Sequence, residues 1–118
     1  MILRAKEKNM NTKDFYSFYD LKEIDVLSIS SKDNDLILLF NADVEMELMA
    51  NGFRGGFDLS FLQEATFKNV HSSINLSSPI HVTRYEYQDD TLIIQANKET
   101  ISIPSTEVVI RKIRTNRV

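Results

Sequence analysis

Three times along this chain an apolar run breaks at a short cluster of Asp, Asn and Lys and then resumes. The run Ile24-Asp25-Val26-Leu27-Ser28-Ile29-Ser30 reaches Lys32-Asp33-Asn34-Asp35 and returns as Leu36-Ile37-Leu38-Leu39-Phe40. Further on, Ile80-His81-Val82-Thr83-Arg84-Tyr85-Glu86-Tyr87 reaches Gln88-Asp89-Asp90 and returns as Thr91-Leu92-Ile93-Ile94-Gln95. Asn97-Lys98-Glu99 then separates that run from Ile101-Ser102-Ile103. Alternation with a period of two sends successive side chains to opposite faces of a strand. Short Asx side chains hydrogen-bond locally and tolerate left-handed backbone, so such clusters make tight turns. The pattern predicts β-hairpins and commits most of the chain to antiparallel sheet.

The remaining segments fit the same plan. Val108-Val109-Ile110-Arg111-Lys112-Ile113 reads as a last strand, and Pro104, with no N–H to donate, ends the ladder before it. In the middle, Val44-Glu45-Met46-Glu47-Leu48 alternates strictly, and Asn51-Gly52 is a strong hairpin signal. Gly55-Gly56 suggests a bulge or bend, with Phe57-Asp58-Leu59-Ser60-Phe61 and Thr66-Phe67-Lys68-Asn69-Val70 as further strands. The stretch from Ser72 to Pro79 reads as an exposed loop. Only the beginning looks helical. Asn11-Thr12 offers an N-cap, and Phe15, Phe18 and Tyr19 form one apolar stripe over about two turns. A helix that short must pack on the sheet to persist. Together these elements predict a mainly β domain, an antiparallel sandwich or open barrel of about eight strands with one short N-terminal helix.

Length and charge bound the class. At 118 residues, 42% hydrophobic and 26% charged, the chain fits one domain over 1–118, with 1–11 and 114–118 as flexible ends. There is no cysteine, which excludes disulfides, thiolate metal sites and cysteine nucleophiles. No apolar run approaches the roughly 20 residues needed to cross a bilayer, and Met1-Ile2-Leu3-Arg4-Ala5-Lys6 turns polar too soon for a signal peptide. The expectation is a cytoplasmic chain with no membrane partner.

The candidate chemistry is sparse. His71 and His81 have no ligand or base partner at a recognisable spacing, so a structural or solvated role is the simpler reading of each. His81, Tyr85 and Tyr87 on one alternating strand are nevertheless the residues best placed to line a ligand cleft. Asp33-Asn34-Asp35 and Asp89-Asp90 carry oxygen ligands but lack the glycine and terminal glutamate of a calcium loop, and turn chemistry accounts for them. Gly52-Phe53-Arg54-Gly55-Gly56 is glycine-rich, yet alternating residues follow it instead of the helix that a phosphate loop requires. Arg54 can still serve as an exposed anion contact or interface anchor. No nucleophile motif occurs, and no cofactor or metal is implied.

The distinctive surface is acidic. Net charge is −3, but between Asp20 and Glu64 ten acidic residues face three basic ones. If 43–48 is a strand, Val44, Met46 and Leu48 enter the core, and Asp43, Glu45 and Glu47 stand in a row about 6.5–7 Å apart. Such a row steers and holds a basic partner. The simpler reading is a solvated face neutralised across strands by Lys68 or Arg84. Basic charge gathers only at Arg111, Lys112, Arg114 and Arg117, without the broad patch of a nucleic-acid binder.

The order Phe18-Tyr19-Asp20, strand, turn and apolar return, then Thr66 to Val70, Tyr85-Glu86-Tyr87-Gln88-Asp89-Asp90-Thr91-Leu92-Ile93-Ile94 and a final strand pair resembles a known group. It is similar to the small β-rich immunity proteins of bacterial polymorphic-toxin systems, with Tyr19 where those families carry histidine. The resemblance implies a toxin-binding role and no shared active site. The leading expectation is therefore a non-catalytic binding protein, monomer or homodimer, that holds a protein partner such as a cognate toxin through Asp43, Glu45, Glu47 and Arg54. A ligand-binding domain or enzyme with a cleft near His81, Tyr85 and Tyr87 is the first alternative. A structural or assembly subunit of phage or secretion origin is the second.

Overall fold

The computed structural model describes residues 7–43 and 60–113. Its elements are β1 (Glu7–Asn11), α1 (Thr12–Phe18), β2 (Asp25–Lys32), β3 (Asp35–Asp43), β4 (Ser60–Phe67), β5 (Asn75–Ser77), β6 (Val82–Gln88), β7 (Thr91–Ala96), β8 (Glu99–Pro104) and β9 (Glu107–Ile113). Each polar turn closes a hairpin with both central residues at positive φ. The values are 50° and 65° for Asp33 and Asn34, 54° and 56° for Asp89 and Asp90, and 49° and 70° for Asn97 and Lys98. Two successive left-handed residues define the tight turn whose twist matches that of the flanking strands. Asx residues supply that geometry at five of these six positions, and Lys98 adopts it without that help.

All pairings among the described strands are antiparallel, and they form two sheets. One has six strands in the order β1-β9-β4-β3-β2-β5, and the other has three in the order β6-β7-β8. The sheets do not join into a closed barrel among these residues. Both contribute to one apolar core: Val26, Ile29, Leu36, Leu38, Phe40, Phe67 and Val108 from the larger, Leu92, Ile94, Ile101 and Ile103 from the smaller. Phe15 of α1 is fully buried, its ring centroid 5.0 Å from those of Phe67 and Tyr19 and 6.1 Å from that of Phe40, which it meets edge to face. At roughly 25 cal/mol per Å² of apolar surface removed from water, this shared core is the main driving force for closing the sheets on one another.

The mainly β expectation holds, and several boundaries move. Nine strands form among the described residues instead of about eight. Residues 7–11, expected within a flexible end, pair with β9 as β1 because Met10 reaches the core and the ladder satisfies their backbone. The reading at 66–70 gives way to β4, which ends at Phe67 and in which Gln63, Ala65 and Phe67 share the core face, while 57–59 of the reading at 57–61 lie outside the described residues. Three residues of the expected loop at 72–79 form β5 at the edge of β2. The readings of 44–48 as a strand and 51–52 as a turn lie outside the described residues.

Bulges explain the two places where strict alternation misplaces side chains. A register shift between Val26 and Ser28 lets Val26 and Ile29 both face the core, three residues apart. A second shift between Val82 and Arg84 does the same for Val82 and Tyr85. One extra residue inverts the facing of everything beyond it.

Candidate functional site

The smaller sheet carries the residues read as ligand-lining, and the bulge at Thr83 separates them. Simple alternation puts His81, Thr83 and Tyr85 on one face. In the structure His81 and Thr83 are exposed, whereas Tyr85 is buried at 8% exposure. His81 is held by its backbone: its N–H donates to Asn97 Oδ1 at 2.8 Å, and its carbonyl accepts from the Asn97 N–H at 3.2 Å. Asn97 Nδ2 in turn donates to the Pro79 carbonyl at 2.9 Å. The imidazole takes no part in that clasp. His71 is also exposed.

Tyr85 belongs to an internal network. Its hydroxyl donates to the Tyr19 carbonyl at 2.7 Å, and the Tyr19 hydroxyl donates to Gln63 Oε1 at 3.1 Å. Burial pushes the Tyr85 phenol well above its ordinary value of 10.0, helped by the charge of Asp20 and then by Tyr16. Such a phenol stays protonated and donates a hydrogen bond; it is not poised as a base. Tyr16 of α1 packs on Tyr85 at 4.9 Å and on Tyr87 at 6.0 Å, so the helix covers both rings. The structure therefore brings Tyr85 and Tyr87 together under α1 and leaves His81 outside. A shallow cleft elsewhere, between the facing ends of β1 and β9, is lined by Asn9, Met10, Asn11, Ser105, Thr106 and Glu107 and includes none of the three.

Charged side chains pair locally. Arg84 donates to Glu86 on the same strand at 2.8 Å, which holds the Glu86 carboxyl below its usual range and raises Arg84. Lys68 lies 3.6 Å from Asp35, and Arg111 lies 3.0 Å from Glu64 across the β4–β9 pair. Asp35 also accepts from the Asn69 N–H at 3.1 Å, so the start of β3 is tied to the turn that follows β4. Among the described residues no three acidic or imidazole side chains gather in a metal-binding arrangement. Asp43 is the last residue of β3, opposite Ser60 on β4, while Glu45, Glu47 and Arg54 lie outside the described residues.

Sequence reading missed two buried polar residues. Gln63 sits in step with Ala65 and Phe67, and that parity is the signal that could have placed it inside. Thr12, read only as part of a cap, is fully buried. Its N–H donates to the Thr106 carbonyl at 3.1 Å, and its Oγ1 accepts from the Thr106 N–H at 2.9 Å. No protein-family model matches this chain, and neither a curated protein nor a solved structure matches it. Among the described residues no helix is long and apolar enough to cross a membrane.

Proposed function

We propose that this chain is a non-catalytic binding protein of the immunity-inhibitor kind, which engages a basic protein partner through Asp43, Glu45 and Glu47. The observation that carries the reading is where the candidate neutralising cations go. Lys68 lies 3.6 Å from Asp35 and Arg84 lies 2.8 Å from Glu86, so each has a carboxylate partner outside that run. An acidic run without those partners attracts positive charge and accelerates encounter with a basic surface. The aromatic strand supports the same side of the choice: Tyr85 spends its hydroxyl on the Tyr19 carbonyl, and Tyr16 covers its ring.

The test uses the purified product of the adjacent gene, the natural source of a cognate partner for such an inhibitor. Replacing Asp43, Glu45 and Glu47 together by serine is expected to leave the circular dichroism spectrum intact. Binding is expected to weaken at least about tenfold, a loss of ~1.4 kcal/mol, with a shallower dependence on salt. Equal affinity before and after the substitutions would remove the acidic run from the interface.

A further inference from the structure

We propose that β8 is a self-complementary edge through which two copies of this chain pair, antiparallel, about a two-fold axis at Ile101. Among the described residues four strands end the two sheets: β1 and β5 in the larger, β6 and β8 in the smaller. Edges are templates for further pairing unless something blunts them. β5 has only three residues, β6 carries a bulge with Arg84 and Glu86, and β1 carries Glu7 and Lys8. β8 runs unbulged from Glu99 to Pro104, and everything between those two ends is uncharged.

The hairpin fixes which backbone groups of β8 are free. Asn97 and Lys98 form a two-residue turn, so the flanking pair Ala96 and Glu99 is hydrogen-bonded. Bonded and non-bonded positions then alternate: Glu99, Ile101 and Ile103 turn their backbone toward β7, and Thr100, Ser102 and Pro104 turn theirs outward. Pro104 fits that assignment, since an outward position needs no N–H. Its carbonyl lies 3.3 Å from Thr12 Oγ1, whose single proton also has the Thr106 carbonyl in reach at 3.1 Å. The outward donors and acceptors of Thr100 and Ser102 have no partner among the described residues.

Those free groups select the partner and the register. Centring the pair on Ile101 sets Thr100 against Ser102 of the second copy and Ser102 against its Thr100. Both N–H groups and both carbonyls of each chain then find partners. Centring on Ser102 would set Thr100 against Pro104 and leave the Thr100 carbonyl unpaired, because Pro104 has no N–H to offer. The Ile101 register also keeps parity, with Ile101 meeting Ile101 on the core side and hydroxyls meeting hydroxyls on the outer face. No like charges meet within the ladder. The smaller sheet would become one continuous sheet across the two copies, through a contact of the small, transient class. This reading uses none of Asp43, Glu45 and Glu47, so it and the proposed function can fail independently.

Sedimentation equilibrium from about 10 μM to about 1 mM tests the pairing over the range of weak interfaces. The wild-type mass is expected to rise from 13.6 kDa toward about double. Thr100→Lys with Ser102→Lys sets lysines opposite one another and is expected to weaken association at least about tenfold. Thr100→Lys with Ser102→Glu sets opposite charges against each other and should restore it, with the difference fading in salt. Both pairs of substitutions fall on exposed side chains, and circular dichroism checks that folding is kept. A wild-type mass that stays monomeric across the range overturns the proposal, as does association indifferent to the sign of charge at these positions.

Discussion

The Tyr85 hydroxyl donates a 2.7 Å hydrogen bond to the backbone carbonyl of Tyr19, joining β6 to the residue that ends α1. Tyr19 passes the connection on, since its own hydroxyl reaches Gln63 Oε1 on β4 at 3.1 Å. Polar contacts thus cross the core from the smaller sheet to the larger at the point where the helix stops. An intramolecular hydrogen bond adds only about 1 kcal/mol net, but a buried partner left unmatched costs more. The network therefore specifies how the sheets and helix meet more than it adds to raw stability.

Removing the Tyr85 hydroxyl alone exposes that asymmetry. Tyr85→Phe keeps the ring against Tyr16 while withdrawing the donor from the Tyr19 carbonyl. The expected loss is ~1–3 kcal/mol of unfolding free energy with an unchanged denaturant slope. Equilibrium urea unfolding measures both quantities. A loss near zero would mean that the carbonyl finds another donor.

The same pair sets an alkaline limit. The folded-state value of the Tyr85 phenol lies above its unfolded value of 10.0, chiefly through burial. A raised value gives a contribution fully present below about pH 10 and lost as pH climbs through the folded value, because the unfolded chain releases the proton first. Urea midpoints between pH 8 and pH 11 should fall above pH 10, and more steeply for wild type than for Tyr85→Phe. Parallel curves for the two proteins would show that Tyr85 does not carry the effect.

Sequence pattern made the hairpins legible because turn chemistry and alternation are both local. Asp33-Asn34 and Asp89-Asp90 announce left-handed backbone from their residue types, and the strands beside them follow. The bulges at Leu27 and Thr83 carry no such mark, since an extra residue in a β ladder is defined by its partner strand. That is why His81 and Tyr85, equal in parity, part company in the fold. Gln63 and Thr12 were hidden for a related reason: a polar residue looks exposed until its partners, Tyr19 and Thr106, arrive from far along the chain. The acidic run can be counted without a fold, but Glu45 and Glu47 lie outside the described residues.

Thr12 offers a sharper probe of the start of the helix. It is fully buried, and its hydroxyl accepts from the Thr106 N–H at the crossover from β8 to β9. Thr12→Val keeps the shape but removes that acceptor, and is expected to cost ~1–3 kcal/mol. Thr12→Ser keeps the hydroxyl and should cost less than Thr12→Val. Thermal unfolding monitored by circular dichroism ranks the three proteins, and a valine variant as stable as wild type would discount the contact.

The helix itself separates packing from pattern. Phe15 and Phe18 belong to the same sequence stripe, but α1 ends at Phe18, and Tyr19 is already extended at φ −115° and ψ 125°. Tyr19 is buried in the core, whereas Phe18 is 61% exposed, with the Lys8 ammonium 6.0 Å from its ring. Phe15, ringed by Tyr19, Phe40 and Phe67, has no room to relax. Phe15→Ala is expected to cost ~3–5 kcal/mol through the cavity it leaves, a large share of the roughly 5–15 kcal/mol that keeps an ordinary domain folded. Phe18→Ser should change stability by no more than about 0.5 kcal/mol. Urea midpoints for both variants measure the difference, and comparable losses would show that Phe18 shares the core contact of Phe15.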